Sequence, residues 1–259
     1  MRKNARILEM VQRIADKVGM SVVPSWRLPR LPQSRYIARV VRDWEVTGIV
    51  DVGANEGQYR DFLRGEVAYT GPIVSVEPIP HHAAANLMRS ADDSNWRVEE
   101  VALGATTGNA EFRVMRGSEF SSFLTPEKSM ASEFDGQSHV AGVIPVRVDT
   151  LDALLERHHD FLGPRVYLKM DTQGFDIEVL KGLRSRRKQV IALQSEASVK
   201  AIYESMPSYH DTIMAVEALG FSVSQFFPNN DGHFPLLYEF DCHFVDVAAR
   251  RDPAPLGEC

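Results

Sequence analysis

Val50-Asp51-Val52-Gly53-Ala54-Asn55-Glu56-Gly57-Gln58-Tyr59 is the stretch whose reading decides the fold. A short β-rich run ends at Val52, Gly53 permits a sharp turn, and Gln58 and Tyr59 open a helical pattern. A strand that enters a helix through a glycine-bearing turn is the first half of a βαβ unit, and ligands of such units sit at the turn. Gly57 is a second position where the lack of a Cβ lets a ligand or a neighbouring backbone come close. Asp51 either holds the turn or, through water, faces a ligand's ammonium group. An ordinary tight junction with no ligand leaves the same local signature.

Downstream, Glu77 closes a second strand 20 residues beyond Gly57, and Pro78 stops the ladder there. That spacing suits a carboxylate accepting hydrogen bonds from two ribose hydroxyls; the plain alternative is a solvated strand-end Glu. From about residue 44 onward, short β-rich runs alternate with amphipathic helical patterns, which predicts a largely parallel sheet covered by helices on both faces. Strands are expected at 47–52, 73–77, 97–103, 166–170 and 190–194, with helices at 174–183 and 209–219, the latter ending at Gly220. Runs 110–115 and 144–148 read as insertions around Ser121 and Ser122. Strands 221–227 and 238–247 end the domain, joined by the turn-rich Pro228-Asn229-Asn230-Asp231-Gly232.

The chain has 259 residues, 44% hydrophobic and 25% charged, with a net charge of −6. These values fit a soluble α/β protein and disfavour a surface that tracks nucleic-acid phosphate, so a small metabolite or a glycan is the easier partner. Cys242 and Cys259 make no metal-ligand or disulfide spacing, in keeping with a cytoplasmic protein. No apolar stretch approaches the ~18–20 residues of a transmembrane helix, and the first residues lack a signal-peptide core. They do place Ile7, Val11, Ile14 and Val18 at helical spacing among Arg2, Lys3, Arg6, Arg13 and Lys17. Such a helix could lie on a membrane surface, on a partner such as a second copy of the chain, or on its own domain. A proline-punctuated connector over 24–32 follows. The simplest division is an N-terminal helical extension and connector over 1–44, a catalytic domain over 45–250 and a tail over 251–259.

Six segments in register resemble the FkbM-type methyltransferases. They are the opening stretch; Val76-Glu77-Pro78; Ala102-Leu103-Gly104; Asp149-Thr150-Leu151-Asp152; Leu168-Lys169-Met170-Asp171-Thr172-Gln173-Gly174 with Val179-Leu180-Lys181-Gly182; and Glu196. The resemblance spans nearly everything from Gly48 to Val247. It implies a class I, Rossmann-like methyltransferase fold with a seven-stranded, mostly parallel sheet whose last strand is antiparallel. It also implies S-adenosylmethionine as cofactor, with the Asp51–Gly57 loop, including Gly53, Asn55 and Gly57, around its amino-acid portion, Glu77 at the ribose, Ala102 and Leu103 near the adenine, and Gln58, Tyr59 and Pro78 also among the cofactor-binding residues. Asp176 stands where the family often has Glu, which weakens any role needing the longer side chain.

Asp171 and Glu196 fall at the carboxyl ends of expected parallel strands, the edge where open α/β sheets bind ligands. Transfer to an alcohol requires that its proton be taken, and a carboxylate beside the hydroxyl can act as general base. The favoured mechanism is metal-free, with Asp171 or Glu196 as base, Asp171 also near the cofactor, and His210 as an outside candidate. Asp171 could instead cap the next helix, and Glu196 could pair with Lys200. Ser122, with Ser121, could touch cofactor or acceptor, or simply build a loop. Asp152 is expected to begin or cap a helix. His81, His82, His158 and His159 make no zinc pattern, and Arg184, Arg186, Arg187 and Lys188 read as a solvated run after a helix. The expected function is O-methylation of a sugar hydroxyl in a glycan, glycolipid or secondary metabolite. A nicotinamide-dependent oxidoreductase and a non-catalytic methyltransferase-like binding module are the alternatives.

Overall fold

The computed structural model describes residues 22–127, 139–229 and 235–251, together with 11, 14, 15, 17, 19 and 20. Ile7 and Val18 of the expected N-terminal helix, with Arg2, Lys3, Arg6 and Arg13, lie outside the described residues, as do Asn230, Asp231, Gly232 and Cys259.

The main sheet contains β1 (Gly48–Val52), β2 (Ile73–Val76), β3 (Trp96–Glu99), β7 (Val166–Met170), β8 (Val190–Ser198), β9 (Ser222–Asn229) and β10 (Glu239–Val245). Their order is β3-β2-β1-β7-β8-β10-β9. All pairs are parallel except those of β10, which runs antiparallel to both β8 and β9. This is the class I methyltransferase sheet expected from the sequence, with its last strand reversed between two earlier ones.

Alternation along each strand sorts side chains to two faces. Val50, Val52, Val74, Val76, Leu168, Met170 and Leu193 join one core. On that face pack α4 (Leu151–Arg157), α5 (His159–Leu162), α6 (Asp176–Lys181) and α7 (Tyr209–Ala218), contributing Leu154, Leu162, Val179 and Val216. Ile49, Ile73, Tyr167, Ala192 and Val245 point the other way, against Ile37 and Val40 of α1 (Leu31–Asp43) and Phe62 of α2 (Gln58–Phe62). The sequence reading places only a connector before residue 32; in the structure Leu31 begins a helix with Pro32 in its first turn, where a missing N–H costs nothing, and its buried side belongs to this second core.

The expected single strand 97–103 is two. β3 pairs with β2, whereas β4 (Ala102–Leu103) leaves the main sheet and runs parallel to β6 (Val140–Asp149), which in turn pairs antiparallel with β5 (Gly108–Met115). Val101, Ala102 and Leu103 are all buried, and Glu99 and Glu100 separate them from Val98 where the hydrogen bonding changes sheet. α6 begins at Asp176 rather than Gly174, because Gln173 and Gly174 both adopt positive φ, +51° and +86°. The helix starts follow side-chain chemistry: Thr150 accepts from Ala153 N–H at the start of α4, and Ser208 and Asp211 form a capping box on α7. Asp152 lies in the first turn of α4, as expected, and accepts from the backbone N–H groups of Arg184, Ser185 and Arg186, tying the loop after α6 to α4. The basic run is not simply solvated: Arg187 lies 3.5 Å over the Phe221 ring and donates to the Leu219 and Val190 carbonyls. No helix among the described residues is long and apolar enough to cross a membrane.

Candidate active site

Strand register brings the acidic side chains together. Asp51 stands opposite Lys169, Lys169 opposite Gln194, and Glu196 opposite Asp241. A period of two then puts Asp51, Gly53, Lys169, Asp171, Gln194, Glu196, Glu239 and Asp241 on one parity, the face that carries α1 and α2. There the carboxyl ends of the parallel strands open into a cavity of about 680 Å³, within the ~300–1,000 Å³ typical of small-molecule sites. Glu77, Lys169, Asp171, Glu196, Glu239 and Asp241 all line it, with Pro29 and Gln33 before and within α1 on one side and Phe112 and Phe123 from the smaller sheet region on another.

Each carboxylate is held. Asn55 N–H donates to Glu77 Oε2 at 2.7 Å and Ile79 N–H to Oε1 at 2.9 Å, so both oxygens keep a free lone pair toward the cavity. Gln173 reaches across the site: its Nε2 donates to Asp171 Oδ1 at 3.1 Å and to Glu196 Oε2 at 2.8 Å, while its Oε1 accepts from the Tyr203 hydroxyl. Asn229 Nδ2 donates to the other Glu196 oxygen at 3.0 Å. Gln33 Nε2 donates to Asp241 Oδ2 at 2.6 Å. Behind them the Lys169 ammonium lies 3.1 Å from Asp51 Oδ1 and 3.5 Å from Asp171 Oδ2.

Burial dominates the electrostatics. It pushes Glu77 up to about 7, against the pull of the Asn55 and Ile79 N–H groups. It pushes Glu239 up to about 7 as well, helped by Asp171 and Asp241. Glu196 is raised well above the usual carboxylate range, by burial first and then by Asp171, Glu239 and Asp241. For Lys169 burial acts against the charge, but Asp51 and Asp171 outweigh it and hold the ammonium above its ordinary range.

These shifts set the pH dependence of stability. Glu77 and Glu239 keep protons in the fold up to about pH 7 that an unfolded chain releases near 4.5, so stability falls as pH rises through that window. His243 acts oppositely. Burial lowers it to about 3, and the unfolded ring takes up a proton below about 6.5, so stability falls as pH drops. Two carboxylates outweigh one imidazole above about pH 5.5. The melting temperature of the protein without added ligand is therefore expected to decline from about pH 5.5 to 8. Replacing Glu77 by Gln should make that decline shallower; an unchanged slope would show that Glu77 is ionised as an ordinary carboxylate.

Of the other residues expected at the site, Gly53, Asn55, Gln58, Tyr59, Pro78, Ala102 and Leu103 line the cavity. Asp51 is fully buried beneath it and reaches it through Lys169. Gly57 does not line the cavity; with φ of +82°, a Cβ there would meet Asn86 Oδ1 at 2.7 Å and Arg89 at 2.9 Å. A larger side chain at 57 thus strikes α3 (Pro80–Ser90) before any ligand. Ser122 is buried behind the wall, donating to the Gln173 carbonyl at 2.9 Å and supporting that loop. His210 is exposed on the first turn of α7 and outside the cavity wall. Asp171 caps no helix, since α6 has no side-chain cap. Lys200 donates to the Tyr238 hydroxyl, and Glu196 is met by Gln173 and Asn229. The shorter Asp176 accepts from Thr172 and from Ser195 Oγ, fixing the start of the Asp171–Gln173 loop. Sequence reasoning gave no role to Lys169, Gln173, Gln194, Glu239 or Asp241. A lone Lys inside the apolar run Val166-Tyr167-Leu168-Lys169-Met170 was the available signal.

The profile of the methyltransferase FkbM domain matches residues 51–223. Among solved structures, a methyltransferase FkbM from Methylobacillus flagellatus aligns with 16% identity and a TM-score of 0.46, over 78% of this chain and 44% of that one. This chain therefore spans less than half the length of that protein. Fibrillarin from Aeropyrum pernix, in complex with natively bound S-adenosyl-L-methionine, aligns with 12% identity and a TM-score of 0.42, over 83% of this chain and 74% of that one. An O-methyltransferase from Bacillus cereus in complex with SAH gives 12% identity and a TM-score of 0.42, over 92% and 90%. No curated protein matches the sequence.

Proposed function

This chain belongs to the methyltransferase FkbM family, and from that premise we propose that it transfers a methyl group from S-adenosylmethionine to a hydroxyl oxygen, of a sugar in a glycan, glycolipid or secondary metabolite. The observation that carries the reading is the meeting, in one cavity, of Glu77 at the end of β2 with Asp171 and Glu196 at the ends of β7 and β8.

The lining fits such a donor. Its six acidic residues, Glu77, Glu119, Asp171, Glu196, Glu239 and Asp241, outnumber the cations Lys169 and Arg30, a balance that complements a ligand carrying sulfonium and ammonium charges and opposes the pyrophosphate of a nicotinamide dinucleotide. Glu77, with both oxygens pinned by backbone N–H groups and a lone pair left on each, is placed to accept from ribose hydroxyls. Ala102, Leu103 and Ile79 offer an apolar slot beside it, and Asn55 and Tyr59 border the amino-acid end. When bound, the donor supplies an electrophilic methyl group. The chain's own part is to hold the acceptor hydroxyl in line and to take its proton, since positioning alone removes much of a displacement barrier. Glu196 is the base: burial makes it more basic than an ordinary carboxylate, and Gln173 and Asn229 fix its direction. Asp171, paired with Lys169, orients the hydroxyl.

Thermal melting with S-adenosylhomocysteine and NAD in separate samples tests the donor. At ~100 times the dissociation constant, binding stabilises by about 2.7 kcal/mol, so a clear rise with S-adenosylhomocysteine and none with NAD is expected. The reverse result would overturn the reading in favour of an oxidoreductase. Mass spectrometry of candidate glycans after incubation with the donor tests the acceptor.

A further inference from the structure

Beside the mouth of the cavity, Trp26 and Leu28 expose 70% and 53% of their surface. They flank Arg27 in a 3-10 turn, Ser25–Arg27, and the residue after it. Arg27 is turned inward: it donates to the Glu66 carbonyl at 3.1 Å and lies 3.7 Å from the Glu66 carboxylate. This anchor fixes the turn against the domain and leaves the two apolar side chains directed outward. The chain then passes directly into Pro29, Arg30, Pro32 and Gln33, which line the cavity. Upstream, Ile14 and Met20 are also exposed, at 58% and 63%.

Charge selects the partner. Apart from the inward Arg27 and the cavity-lining Arg30, residues 1–26 carry five Lys or Arg and two Asp or Glu, while the chain as a whole has a net charge of −6. A basic segment studded with exposed Trp, Leu, Met and Ile, set on an acidic protein, has the composition of chains that settle in the headgroup region of a membrane. Trp suits that layer because its ring is apolar and its N–H is wet. An anionic bilayer satisfies both the charge and the apolar side chains without a shaped groove, whereas a protein partner would need one.

We propose that the segment around Trp26 and Leu28 docks this protein on an anionic membrane surface. Docking there sets the Pro29–Gln33 lip of the cavity against the bilayer. On the methyl-transfer reading of the cavity, the acceptor hydroxyl is then one carried by a molecule seated in that membrane.

Flotation of the full chain with vesicles of phosphatidylcholine plus phosphatidylglycerol, and with phosphatidylcholine alone, tests the docking without donor or acceptor. Flotation with the anionic vesicles only, released by salt and accompanied by a blue shift of tryptophan emission, is expected. In a Trp26→Ser/Leu28→Ser variant, binding should fall by roughly ten-fold or more, with an unchanged melting temperature and unchanged stabilisation by S-adenosylhomocysteine. Wild-type protein that fails to float, or a variant that floats equally well, overturns the proposal. So does a concentration-dependent dimer dissolved by the same substitutions, which would give the face to a second copy of the chain. Loss of stabilisation by S-adenosylhomocysteine in the wild type would count against the methyl-transfer reading alone and leave the vesicle result standing.

Discussion

Replacing Glu196 by Gln is expected to lower turnover by about 10²–10⁴-fold, the usual contribution of a general base, while S-adenosylhomocysteine still stabilises the protein. The substitution keeps the shape of the side chain and one acceptor oxygen for the two facing amides of Gln173 and Asn229. What it removes is the ability to take a proton. Because Glu196 in the fold ionises well above the usual carboxylate range, the wild-type rate should rise with pH beyond that range as the carboxylate forms. The rise should vanish in the variant, whose residual rate reflects positioning alone. Undiminished turnover would rule Glu196 out and pass the role to Asp171.

The second large effect concerns stability. Lys169→Met is expected to cost about 3–5 kcal/mol, because it leaves the fully buried Asp51 without its ammonium partner. For a domain of this size that corresponds to a fall of roughly 10 °C in melting temperature. Introducing Asp51→Asn together with Lys169→Met should recover much of the loss, since no lone charge then remains inside. Calorimetry of the two variants separates this from loss of packing: if the double variant melts no higher than the single one, the ion pair is not the cause.

Much of the architecture was legible because burial on a strand is a local property. β1, β2 and β7 announce themselves as short apolar runs, and Glu77 and Asp171 were identifiable because each ends one. Pairing is not local, and there the reading stops. Val98 and Val101 to Leu103 are apolar, and Glu99 and Glu100 between them stand where the chain passes from one sheet to the other, but side chains alone do not say which strand each half joins. Glu239 and Asp241 escaped notice for the same reason: they alternate with Phe240 and Cys242 in an ordinary half-buried pattern, and only the antiparallel return of β10 beside β8 sets Asp241 opposite Glu196. Gln173 was missed because its reach depends on a left-handed backbone at a residue that rarely adopts one. The pattern at Gly57 suits close approach of a ligand or of a neighbouring backbone, and the neighbours that exclude a Cβ are side chains, from α3 and from Trp96.

The turn at Gly53 lies so near the main chain of Asp171 that no Cβ fits between them. The segment expected to seat the donor and the segment expected to present the acceptor are thereby geared together, backbone on backbone. Neither can be retuned alone: a substitution that widens one end of the cleft shifts the other, so changes in acceptor preference within this scaffold should carry a correlated change in donor affinity.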